Sequence, residues 1–154
     1  MKKRFIMVFT LLAIFLTFNC NVCTAQAKTI TLTASKPSNC SFSAAWERTR
    51  LVYLANSDNC IGDLCYGYDT VMINEDYVWT RSIMYKHKSY LNKSGTEYTS
   101  SEYNASSGTT WAKIEKAHSS NVTPTYGIMF TNAADDTNSN EFSLGDEKVT
   151  HNKE

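Results

Sequence analysis

The chain has 154 residues, and its 15 Lys plus Arg balance 15 Asp plus Glu to a formal net charge of zero. That length suits one domain with one modest core. The lack of a basic excess excludes an electrostatic case for nucleic acid as the partner.

Lys2, Lys3 and Arg4 precede an almost unbroken apolar run from Phe5 to Phe18, and Ala25-Gln26-Ala27 follows. A basic start, a short apolar core and small residues at the −3 and −1 positions predict a secretory signal peptide cleaved after Ala27. The run has 14 residues, short of the ~20 that cross a bilayer; only an uncleaved stretch from Phe5 to Ala25 would reach. Cys20 and Cys23 fall inside this leader and lack the small preceding residues of a lipid-anchor site. The expected mature protein is therefore secreted, starts at Lys28, and carries 12 basic against 15 acidic groups, a net of −3.

Lys28 to Ser35 alternates Ile30, Leu32 and Ala34 with Thr29, Thr31 and Thr33, the pattern of a half-buried strand. Pro37-Ser38-Asn39 ends it. Ser43 to Ala55 fits either a short helix, through Ala44, Ala45, Arg48, Leu51, Val52 and Ala55, or a buried strand from Arg50 onward. Asn56 to Gly67, rich in Ser, Asp, Asn and Gly, reads as a loop. Beyond it, Tyr, Val, Ile, Trp and Thr predict strands at Thr70 to Ile73, Val78 to Leu91, Thr110 to Ala117 and Thr125 to Thr131. Turn clusters at Asn74-Glu75-Asp76, Asn92-Lys93-Ser94-Gly95 and Ser119-Ser120-Asn121 separate them.

The predicted fold is mainly β, an antiparallel β-sandwich or meander that buries one face of each sheet. Its domain spans residues 28–132, behind the leader at 1–27. The segment 133–154 carries a net charge of −4 and few large apolar side chains, so it is expected to be a disordered acidic tail. Within it, Asp136, Asn138, Asn140 and Glu147 match a calcium loop, but Glu141 replaces the glycine such a loop needs, and no metal is expected.

Three cysteines remain after the leader: Cys40, Cys60 and Cys65. Outside the cytosol they predict one disulfide, with Cys40 joined to Cys60 or Cys65, and one inert thiol. Such a bridge would pin the Asn56–Gly67 loop and could present it to another protein. Signatures of catalysis are missing: His87, His118 and His151 lie far apart, and neither a Gly-x-Ser-x-Gly elbow nor a Gly-rich phosphate loop occurs. The adjacent Glu75 and Asp76 read as a turn, and His87, in phase with Ile83, Tyr85 and Leu91, reads as partly buried. No cofactor is called for. Trp79, Arg81, Tyr85, Lys86, Lys88 and Tyr90 form a candidate basic and aromatic binding face for an anionic cell-wall polymer, a lipid headgroup or a sugar.

One stretch carries a family resemblance. A strand ending in Asn92-Lys93-Ser94-Gly95, then Trp111-Ala112-Lys113 opening another, a short turn, and a last strand with Tyr126 resemble the septum-blocking, all-β bacteriocins of the lactococcin type. The match runs from Tyr85 to Phe130, 46 of 154 residues. The resemblance implies a secreted two-sheet protein without enzymatic activity that blocks wall synthesis by binding a lipid-linked precursor. The chain departs from that pattern in its cysteines, its longer stretch before Tyr85 and its acidic tail. It transfers no binding residue. The reading overall is a small exported binding protein, bacteriocin-like or directed at the cell surface, with a protein-binding or inhibitory module presented on the Asn56–Gly67 loop as the alternative and a small secreted hydrolase as the minority case.

Overall fold

The structure, a computed structural model, describes residues 27–55, 57–106, 110–133 and 141–152. The predicted leader up to Gln26 lies outside them, as does most of the calcium-like motif. The described residues form nine strands in two antiparallel sheets packed face to face, a β-sandwich.

The four-stranded sheet runs β1 (Lys28–Ser35), β8 (Thr125–Ala133), β5 (His87–Lys93) and β6 (Thr96–Thr99). The five-stranded sheet runs β7 (Ala112–Ala117), β4 (Glu75–Ser82), β3 (Cys60–Asp69), β2 (Trp46–Leu54) and β9 (Phe142–Asn152). Period-two alternation sets the inner faces. Tyr126, Ile128 and Phe130 of β8 point inward together, as their spacing predicts, and all three are fully buried; Tyr126 clusters with Leu64, Tyr66 and Val78 from the other sheet, Ile128 and Phe130 with Val52 and Ile61. The core divides into one cluster around Trp46, Tyr66 and Tyr126 and another around Val52, Ile128 and Phe130. Between β5 and β6, Ser94 and Gly95 have φ of 52° and 86°. Paired positive φ values are what a tight two-residue hairpin needs, and they account for glycine at 95.

Of the two readings open for Ser43 to Ala55 the strand holds, and it starts before Arg50: β2 runs from Trp46, with Trp46, Arg48 and Val52 inward. Four expectations about the elements require correction. The expected loop Asn56–Gly67 contains most of β3, the central strand of its sheet. Its glycines misled the composition argument because they serve packing. A Cβ on Gly67 would lie 2.6 Å from Cζ of Tyr77, whose ring crosses that position. Conversely, Thr70–Ile73 is no strand. The Asp69 carboxylate accepts the N–H groups of Thr70 and Val71 at 2.6 and 3.0 Å, turning the chain there and leaving Val71, Met72 and Ile73 in solvent. The single predicted strand Val78–Leu91 is two, β4 and β5, in different sheets. Ser82 makes the crossing, its Oγ accepting the N–H of Met84 at 3.3 Å and of Tyr85 at 3.1 Å.

The described part of the acidic tail is ordered, which is the fourth correction. β9 lies antiparallel on β2, with Leu54 opposite Phe142 and Arg50 opposite Glu147. Few apolar residues suffice because they land well: Phe142 stacks on Phe130 with ring centroids 5.0 Å apart and packs Tyr85 edge-on at 5.5 Å. A register shift between Arg50 and Val52 changes the alternation of the pair. Glu147 then accepts from Arg48 Nε at 3.1 Å and Tyr66 Oη at 2.8 Å. The folded unit therefore extends past residue 132.

Cys40, Cys60 and Cys65 are free thiols. Cys60 and Cys65 sit five residues apart on one extended strand, about 16 Å by strand rise, beyond the ~7 Å that a disulfide tolerates. Cys40 packs against the core cluster of Tyr66 and Tyr68, while Cys65 alternates with those side chains onto the outer face. Burial, then Glu47 beside it, pushes the Cys65 thiol up to about 12, leaving little thiolate to react. Reductant should therefore leave the melting temperature unchanged, and exposed Cys60 should alkylate well before Cys65. Earlier melting on reduction would contradict this.

Candidate functional site

The six predicted binding residues do not form one face. Trp79 and Arg81 lie on the outer face of the five-stranded sheet, whereas Lys86, Lys88 and Tyr90 belong to the other sheet or its edge. Tyr85 packs on Phe130 at 5.6 Å and on Phe142. Lys86 pairs with Glu102 at 3.6 Å, and Tyr90 donates to Glu97 at 2.8 Å. The strand crossing at Ser82 separates the two halves of the predicted surface.

On the five-stranded sheet, cross-strand register builds three rungs. Glu115, Tyr77, Gly67 and Glu47 make one; Lys113, Trp79, Cys65 and Thr49 make the next. Arg81, Asp63 and Leu51 make the third, with Trp111 at its end beside Ala112. Residues i and i+2 of a strand share a face, so these side chains form a continuous surface. Tyr77 lies across Gly67 and donates its hydroxyl to Glu47 at 2.8 Å. Burial, reinforced by Glu47, raises the phenol far above its ordinary range, so it stays a donor. Tyr77 and Trp79 rings are 5.4 Å apart. The Lys113 ammonium sits 4.2 Å from the Trp79 ring centroid, and the Arg81 guanidinium 4.9 Å from that of Trp111. Trp79 Nε1 donates to Glu115 at 3.2 Å, and Arg81 Nε donates to Asp63. A cleft of about 400 Å³ opens among Glu47, Thr49, Cys65, Trp79, Trp111 and Lys113. Its two indoles are half-buried, Glu47 is held by the Tyr77 hydroxyl, Lys113 lies over the Trp79 ring, and on the same face Arg81 pairs with Asp63.

Sequence reasoning missed a second constellation. Asp76 is the inward residue that begins β4, fully buried. Its carboxylate meets Lys93 Nζ at 3.0 Å, His118 Nδ1 at 3.0 and 3.1 Å, and the Tyr126 hydroxyl at 3.2 Å. Lys93 also donates to the Ala117 carbonyl, and His118 stacks on Phe42 at 4.1 Å. Glu75 and Asp76 are thus strand neighbours on opposite faces, not a turn. The alternation of β4 was a usable signal, had the strand been started at Glu75 instead of Val78. An Asp–His contact invites a catalytic reading, but no cleft described here is lined by these groups, and the cluster joins the sheets as a buried ion network. Among the described residues, no three of His, Cys, Asp and Glu gather to hold a metal ion.

His87 is buried at 1% exposure, its Nε2 3.2 Å from the Thr80 carbonyl and its Nδ1 without a partner among the described residues. Burial pushes its pKa below the usual histidine range, against the opposing pull of the nearby Thr80 and Tyr85 backbone. The unfolded chain takes up that proton near pH ~6.5, and the folded chain resists it. Its contribution is complete above that pH and is lost as pH falls below it. Urea midpoints should drop between about pH 7.5 and about pH 5.5, and His87→Asn should flatten that slope.

The fold is a β-sandwich with an aromatic and charged outer face on its five-stranded sheet. No family model, curated protein or solved structure matches the chain.

Proposed function

We propose that this is a small exported binding protein that holds a cell-surface polymer against the outer face of its five-stranded sheet, with sugar rings stacked on Trp79 and Trp111. The observation that carries the reading is the cleft between those indoles, whose neighbouring charges are engaged within the face. The apolar side of a sugar ring matches an indole, and its hydroxyls match the acceptor oxygens of Glu47 and Glu115. Glu47, Asp63 and Glu115 against Arg81 and Lys113 leave the face without a basic excess, which favours a neutral glycan over an anionic polymer. The leader-like run ending at Ala25 and Ala27 supports export. The resemblance of residues 85–130 to the lactococcin-type bacteriocins, which transfers no binding residue, supports a wall-directed role; growth inhibition would be its bacteriocin form.

Purified protein should co-sediment with isolated cell walls to the same extent at low and high salt, because ion pairing contributes little to the contact. Binding that collapses as salt rises would overturn the neutral-glycan reading. Binding that persists in a Trp79→Ala, Trp111→Ala variant would overturn the site.

A further inference from the structure

Among the described residues, Val71, Met72 and Ile73 are three consecutive large apolar side chains, with 74%, 93% and 59% of their surface in solvent. Single exposed apolar residues are ordinary, but a contiguous run at a hairpin tip is not. Both feet of the turn are fixed. Asp69 caps it through the Thr70 and Val71 N–H groups, and the Asn74 carbonyl accepts the His118 N–H at 2.7 Å. Asp69 and Glu75 form the last backbone pair of β3 and β4, so residues 70–74 project past the end of the sheet.

We propose that this hairpin tip inserts into the surface of an electroneutral lipid bilayer. Three side chains on a hairpin tip, bordering an open hollow of about 460 Å³ with Asp69 and Glu75, present far less than the ~800 Å² per partner of a stable protein interface. A fluid acyl layer needs no complementary concave shape. The turn carries no Lys or Arg, and Asp69 and Glu75 stand at its base, which disfavours anionic headgroups. A single short apolar anchor gives marginal, reversible binding, so the tip acts as one of two contacts and gains affinity when the sheet face is also engaged. The insertion itself does not depend on the sugar reading.

The test is co-sedimentation of the full protein with phosphatidylcholine vesicles at about millimolar lipid, beside Met72→Asp and the triple variant Val71→Ser, Met72→Ser, Ile73→Ser. All three side chains are exposed, so the variants keep the fold, which circular dichroism checks. The bound fraction should fall about fivefold or more in both variants. A Met72→Trp protein should shift its emission to the blue with vesicles. No sedimentation of the parent protein, equal sedimentation of parent and variants, or binding only when phosphatidylserine is present would each overturn the proposal. So would a parent dimer that Met72→Asp dissociates without vesicle binding, which would make a second copy the occupant.

Discussion

Asp76→Ala should destabilise the protein by about 3–5 kcal/mol, the cost of removing one partner from a buried ion pair. Lys93 is 9% exposed and would be left inside the sandwich with the Ala117 carbonyl as its remaining described partner. The Tyr126 hydroxyl and His118 Nδ1 would lose their contacts to the same carboxylate. A domain of this size has only about 5–15 kcal/mol to lose, so the variant should unfold at a much lower urea concentration. Glu75→Ala provides the control. That side chain faces outward, and Glu115 and Asp69 add to the effect of burial in pushing its carboxyl up, so its charge is poorly placed. Its removal should change stability by no more than about 0.5 kcal/mol. Equal effects at 75 and 76 would contradict the inward placement of Asp76.

Trp79→Ala and Trp111→Ala should each weaken wall binding by about 2 kcal/mol, roughly 30-fold, as truncation of an aromatic anchor does at other interfaces. The two positions are diagonal neighbours on one face, so their effects need not add, but the double variant should lose measurable binding. Stability should change little, since both rings are half-exposed on the outer face and contribute nothing to the two core clusters. Lys86→Ala with Lys88→Ala should leave wall binding intact, because those side chains belong to the other sheet. Loss of binding in that pair with retention in the Trp variants would move the site to the four-stranded sheet.

The sandwich class was legible because alternation survives over much of β1, β7 and β8: Ile30, Leu32 and Ala34 between threonines, Ala112 and Ile114 around Lys113, and Tyr126, Ile128 and Phe130 on one parity. β3 was hidden for a physical reason. Its outward positions are Asp63, Cys65 and Gly67, which propensity assigns to loops, and only the neighbouring Tyr77 ring explains why glycine belongs there. Val71–Ile73 erred in the other direction, since β-branched residues say nothing about a capping Asp69 that turns the chain. The tail was missed because composition averages over 22 residues, whereas Phe142 alone supplies a ring to the core. For the site, Trp79 and Arg81 were found as aromatic and basic residues on one strand face. Lys86, Lys88 and Tyr90 were grouped with them because the sheet crossing at Ser82 has no strong turn residue to announce it. Glu47, Tyr77 and Trp111 join only through cross-strand register, which a linear reading does not contain.

The most direct test uses the indole N–H resonances, because the chain has three tryptophans. Trp46 is buried at 3% exposure in the core, while Trp79 and Trp111 line the cleft. Titration with soluble neutral wall glycan fragments should shift the Trp79 and Trp111 signals with one common affinity and leave Trp46 in place. Wall binding with both cleft signals unmoved would contradict the assignment of this face as the binding site.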